Sequence, residues 1–169
     1  GAHLLEAIAE KAAAAGVEAT TNAVSAQPAL LAETAATHAR YFDIGLLGWE
    51  AGNATARTVA EAVVFGAGRP ALLMPELTAI GTFDHIAVAW DGSRVAARAV
   101  ADAQPFLARA ARVSVLAVLD EKPLKQATAE RLAGGLVRSG VEAEAVPLHG
   151  HGRPIAETLQ HGALERGAT

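Results

Sequence analysis

Short apolar runs alternate along the chain with segments whose apolar residues recur every three or four positions. The runs Phe42–Gly48 (FDIGLLG) and Pro70–Pro75 (PALLMP) read as strands covered on both faces. Asp84–Trp90 (DHIAVAW), Arg112–Leu119 and Val141–Leu148 read as three more, and Val17–Val24 as a short one. Helical spacing predicts helices over His3–Ala15, Pro28 to about Arg40, Asn53–Phe65, about Lys125 to Arg138, and Pro154 to near Glu165. Between Ser93 and Ala110 the residues Val95, Ala99, Ala103, Phe106, Leu107 and Ala110 fall on one helical face, with a kink expected at Pro105. Gly134-Gly135 is expected to break or kink the helix that contains it. Strands alternating with helices of this length predict a parallel sheet built from βαβ units.

The pattern also repeats. Gly16-Val17-Glu18-Ala19 recurs as Gly140-Val141-Glu142-Ala143, 124 residues later, and both copies sit between an Ala/Leu-rich helix and a Val-containing segment. Solenoid repeats have periods of about 20–50 residues, so this is a domain-sized period. Residues 1–45 then correspond to roughly 125–169, and the chain reads as the back of one domain (1–75), a linker (76–83) and the front of the next (84–169). Starting at a helix and without Met, it is expected to lack preceding sequence.

Composition narrows the class. Half the residues are apolar, aromatics are few, and the net charge is −4. The arginines Arg94, Arg98, Arg109 and Arg112 are scattered instead of massed, which argues against nucleic acid as a partner. Without cysteine there is no disulfide framework, thiol nucleophile or Cys-based zinc site. No run approaches a membrane span and no leader is visible, so no membrane partner and a cytoplasmic location are expected. His149-Gly150-His151 with His161 invites a metal-site reading, against which stands a simple glycine-flanked loop. Trp49 and Trp90 lie at carboxyl ends of strands, placed either to meet a ligand or to pack the rim. No catalytic constellation is found, so no enzyme is expected.

The segments IAVAWDGSRVAARAV (from Ile86) and VSVLAVLDE (from Val113) resemble the opening strand, first helix and second strand of the universal stress protein family. FDIGLLG, TVAEAV and RPALLMP resemble the closing part of such a domain. The order, back half then front half, is that of the tandem two-domain type. The resemblance implies an α/β fold with a doubly wound, five-stranded parallel sheet of order 3-2-1-4-5, the adenine-nucleotide alpha-hydrolase-like arrangement. Here it would be either an incomplete tandem or a permuted single unit. It implies an adenine nucleotide, ATP or AMP with Mg²⁺, bound where the first and fourth strands part. The matching positions are Ala89, Asp91 and Val118. Asp91 is equally readable as an Asx-turn residue with Ser93 capping the next helix.

For the phosphates, the family carries Gly, two residues, Gly, nine residues, then Gly-Ser or Gly-Thr. The corresponding positions here are Gly48, Gly52 and Thr58. Three residues instead of two separate the glycines, and Arg57 stands where the family has glycine. A side chain there obstructs close backbone approach, so the first domain reads as having lost ATP. Two functions of different class follow from the resemblance. One is a nucleotide-responsive stress module without turnover. The other is a stress scaffold that holds no nucleotide and acts through a homodimer or inter-domain surface, with Pro70–Met74 matching the family's sheet-edge pairing strand.

Overall fold

The structure is a computed structural model that describes residues 2–76, 83–120 and 126–168. The chain divides into two compact units, Gly1–Glu76 and Leu77–Thr169. Most of the predicted linker, and Lys125 at the expected start of a helix, lie outside the described residues.

Unit 1 contains α1 (Ala2–Ala14), a single 3-10 turn at Pro28–Leu30, α2 (Leu31–Ala39), β1 (Gly45–Trp49), α3 (Ala54–Gly66) and β2 (Ala71–Pro75). The strands β1 and β2 pair in parallel, Gly45 opposite Ala71 and Trp49 opposite Pro75. Helices α2 and α3 pack together around Ala36, Ala60 and Val63, and Gly66 lets them approach, since a Cβ there would sit 3.6 Å from that of Ala36. Expected coverage of both strand faces does not occur. Gly45 faces Val63 of α3, whereas its neighbour Leu46 points the other way and is 65% exposed. The strand also starts later than its apolar run, leaving Phe42 exposed in the turn after α2.

Residues 17–24, expected to be a strand, are irregular. The cause is visible in the repeat. Helices α1 and α6 (Gln126–Arg138) occupy equivalent positions at the 124-residue offset, and so do the starts of α2 and α7 (Ile155–Glu165). The helix caps match as well. Val17 N–H donates to Ala12 O and Val141 N–H to Leu136 O, each past a left-handed glycine, Gly16 at φ 68° and Gly140 at φ 86°. Beyond the cap the copies part: Ala143–Leu148 becomes β5 because β4 lies beside it, whereas among the described residues no strand pairs with residues 17–24. A strand without a ladder leaves its peptide groups to water.

Unit 2 contains β3 (His85–Ala89), α4 (Arg94–Asp102), α5 (Gln104–Leu107), β4 (Arg112–Val118), α6, β5 (Ala143–Leu148) and α7. Its sheet is parallel, in the order β3-β4-β5. Pro147 lies in the edge strand β5, where a missing N–H is tolerated. The fold is therefore α/β with parallel sheets, divided among the described residues into a two- and a three-stranded sheet instead of one five-stranded sheet.

Alternation sorts the strand residues of unit 2. Val113, Val115 and Ala117 on β4 join Leu107, Ala129, Ala133, Leu136 and Val141 in the core, with Ile86, Val88 and Trp90 packed against it. The opposite face meets α7, whose Gly162 lies so close to Leu148 that a Cβ would approach its Cδ1 to 2.7 Å. Pro105 ends α4 and starts the one-turn α5, as expected. Gly134-Gly135 does not break α6, which runs through both. Val95 departs from the predicted apolar face, being 72% exposed on α4.

Candidate functional site

At the carboxyl end of the unit 2 sheet a cleft of about 590 Å³ opens between strand ends and helices. Its floor comes from Ala89 at the end of β3 and Val118 at the end of β4. One wall is the start of α4, with Val95, Ala96 and Ala99; the other is α7, with Ile155 and Leu159. This explains Val95: the sequence places it on the apolar face, and the structure uses the front of that face to line a cleft. The volume lies within the range of about 300–1,000 Å³ typical of small-ligand sites.

Ala89, Asp91 and Val118, three of the six candidate residues, all line this one cleft. Asp91 accepts the Ser93 N–H at 2.9 Å, and Ser93 Oγ accepts the Ala96 N–H at 3.1 Å as the N-cap of α4. The turn-and-cap role is thus realised. Trp90 lines the cleft and packs on the core; its buried Nε1–H has no acceptor among the described residues.

The remaining three candidates belong to unit 1. Gly48 is inside β1. Gly52 borders a groove of about 500 Å³ with Trp49, Arg57, Phe65 and Leu73. Thr58 borders a different, smaller hollow with Pro28 and Leu31, and its hydroxyl donates to Ala54 O at 2.9 Å. Arg57 donates to Glu61 at 2.8 Å on the exposed face of α3, and that carboxylate holds its guanidinium even more firmly protonated than usual. Asn53 caps α3 by accepting the Ala56 N–H. Gly52 and Thr58 thus border different hollows of unit 1.

Two arrangements escaped the sequence reading. Asp120, just past β4, accepts the N–H groups of Gly150 (2.8 Å) and His151 (2.9 Å). Those two bonds hold its carboxyl below the usual range. They fix the turn before α7, where His151 takes φ 50° and a Cβ on Gly150 would lie 3.2 Å from Arg153 O. The residues His149, His151 and His161 form no metal set: among the described residues no three His, Asp or Glu side chains converge, and His161 faces Glu165 at 3.5 Å.

The second arrangement is a polar chain on the sheet face opposite the core. Arg112 donates to His85 Nδ1 (3.0 Å), so the ring carries its proton on Nε2. Nε2–H donates to Ser114 Oγ (2.9 Å), and that hydroxyl donates to Glu144 (2.9 Å). Only a three-strand register brings these residues together: His85 lies opposite Arg112, and Ser114 opposite Glu144.

No protein-family model and no curated protein matches the sequence. Among solved structures, a universal stress protein from Archaeoglobus fulgidus DSM 4304 is similar, with a TM-score of 0.79 at 19% identity. The match covers 99% of this chain and 62% of that one, so the chain spans less than two thirds of its neighbour's length. The class defined by architecture and comparison is an α/β protein of universal-stress-protein-like fold. Among the described residues no helix is long and apolar enough to cross a membrane.

Proposed function

We propose that this chain is a nucleotide-responsive stress module of the cytoplasm, whose unit 2 cleft binds an adenosine-containing ligand, AMP or ATP with Mg²⁺, without committed turnover. The observation that carries the reading is the convergence of Ala89, Asp91 and Val118 on one cleft at strand carboxyl ends, where open α/β sheets take their ligands. In this reading Asp91 accepts a ribose hydroxyl or a metal-bound water, and the apolar walls take the base. The strands β3-β4-β5 are the 1-2-3 part of a sheet of order 3-2-1-4-5, and β1-β2 the 4-5 part of its tandem neighbour. Calorimetric titration with adenosine, AMP and ATP, with and without Mg²⁺, tests this on the wild type and on Asp91→Ala. Saturable binding that weakens in the variant is expected. No heat and no thermal stabilisation with any of the three at millimolar concentration would sink the reading.

A second reading is a partner-binding scaffold without nucleotide, acting through a homodimer or inter-domain pairing. The departure of the Gly48–Thr58 segment from the phosphate motif, with three residues between its glycines and Arg57 at a glycine position, favours it. So does the groove beside β2, where Leu73 and Phe65 are exposed apolar residues. Sedimentation of wild type and Leu73→Glu separates it from the first: loss of association in the variant without any nucleotide effect supports the scaffold.

A further inference from the structure

We infer that Arg112 and His85 form a proton-operated clamp on the carboxyl end of α7, closed while the His85 ring is neutral and opened when the ring takes a second proton.

The clamp is one nitrogen shared between two acceptors. Arg112 Nη2 donates to His85 Nδ1 at 3.0 Å and to Arg166 O, just past α7, at 3.2 Å. That nitrogen carries two N–H groups, one for each acceptor, so whatever drives the guanidinium from the ring also takes it from the helix end. Beyond Arg166 the chain turns in a left-handed cap: Gly167 sits at φ 68°, its N–H donates to Leu164 O, and Ala168 N–H donates to Ala163 O. Arg112 therefore ties this cap to the first residue of β4.

A neutral imidazole offers one acceptor and a protonated one offers none. Once Nδ1 carries a proton, two donors and two positive charges confront each other across 3.0 Å. Burial decides which partner gives way. His85 is buried and held from its other side by Ser114, whereas Arg112 is exposed, and water receives its guanidinium. The charged ring is supported meanwhile, because Nε2–H keeps the Ser114 hydroxyl, which donates to the Glu144 carboxylate on β5. The other charged residues beside this group are Asp84, whose carbonyl accepts the Arg112 N–H at 2.9 Å, and Arg166, whose guanidinium turns back to Gly162 O.

One end of α7 responds and the other does not. The turn before α7 is held by Asp120 on the Gly150 and His151 N–H groups, and those bonds hold that carboxyl below its usual range. Histidine is the side chain that changes charge between about pH 5 and 8. Across that interval the tie at Arg166 opens while the tie at Gly150 and His151 stays. Helix α7, whose Ile155 and Leu159 line the cleft, then loosens from its far end.

The experiment is an NMR titration of the 169-residue chain from about pH 8 to about pH 5. It follows the ring nitrogens of His85 and the amide protection of Gly167 and Ala168, corrected for intrinsic exchange. Both are expected to change with one midpoint, protection falling about threefold or more, the scale of one hydrogen bond. In His85→Gln, whose side chain keeps an acceptor and a donor but takes no proton, the step at Gly167 and Ala168 should vanish. In Arg112→Ala the ring should still titrate, while protection at Gly167 and Ala168 stays low and flat. Unchanged protection as the ring takes its proton, a step that persists in either variant, or a ring that stays neutral throughout the titration overturns the clamp.

Discussion

Ser114→Ala is the sharpest structural test of unit 2. Ser114 is fully buried and is the middle link of the chain from Arg112 to Glu144. Removing its hydroxyl breaks two hydrogen bonds of 2.9 Å each, but the two losses differ in size. Glu144 is exposed and regains water, so its loss is small. His85 is 8% exposed, and its Nε2–H is left without an acceptor. A stranded buried donor costs about 1–3 kcal/mol, whereas an exchanged hydrogen bond costs about 1 kcal/mol or less. The stranded imidazole therefore decides the outcome, and a destabilisation of about 2 kcal/mol is expected. For a unit of this size that is a drop in midpoint of roughly 8–16 °C. The assay is urea unfolding followed by Trp90 fluorescence in a Trp49→Phe background, so that the signal comes from unit 2. A change under about 0.5 kcal/mol would refute the reasoning, since that is the scale of an ordinary surface substitution. So would a failure of His85→Phe to recover part of the loss in the Ser114→Ala background, because replacing both partners by apolar groups is close to neutral.

Three further outcomes are expected. Asp120 has its carboxyl pK lowered by the Gly150 and His151 N–H groups, so the stability it contributes is complete above the ordinary carboxylate value and lost as pH falls through the lower folded-state value. Amide exchange at Gly150 and His151, followed by NMR down through the carboxylate range, should show protection fading on the acid side in the wild type and lacking that acid step in Asp120→Asn. Gly140→Ala should cost about 1–2 kcal/mol in urea unfolding because the residue sits at φ 86°, with Gly140→Asn milder; equal stability of all three would show that the left-handed cap is not maintained. Arg57→Ala should leave the urea unfolding midpoint essentially unchanged, because its pair with Glu61 is largely exposed, and a clear drop would mean that the guanidinium has a partner beyond that carboxylate.

Local signals made the helices legible. Asn53 and Ser93 precede their helices as N-caps and are used as such, and Gly16 and Gly140 end theirs in the left-handed conformation. Strand positions were legible where an apolar run met a partner strand, as in β3, β4 and β5. What the runs could not reveal was coverage: the apolar composition of FDIGLLG implied two buried faces, yet α2 and α3 leave Leu46 exposed. The cleft was legible in part. Ala89, Asp91 and Val118 are separated by up to 29 residues and meet because β3 and β4 are in parallel register. Ile155 and Leu159 escaped notice because nothing in an amphipathic helix states which of its residues will face a gap. Asp120 escaped for a related reason: its partners are main-chain N–H groups about 30 residues away, and these carry no side-chain signature.

The internal repeat separates local from non-local causes with unusual clarity. The same four residues, Gly-Val-Glu-Ala, close two helices of equal length with the same pair of backbone bonds. Up to that point sequence alone is sufficient, because a helix and its cap satisfy their peptide groups within a dozen neighbouring residues. After it, one copy becomes β5 and the other has no regular structure. Strand propensity does not account for the difference, since Val17–Val24 is no poorer in β-formers than a short edge strand requires. The ladder does: Val113 through Val118 present their peptide groups to Ala143 through Leu148, and among the described residues no strand does so for residues 17–24. The same dependence on a neighbouring strand governs the candidate site. A ligand cleft at strand carboxyl ends exists only where strands are held side by side, which among the described residues holds for β3, β4 and β5 and not for residues 17–24.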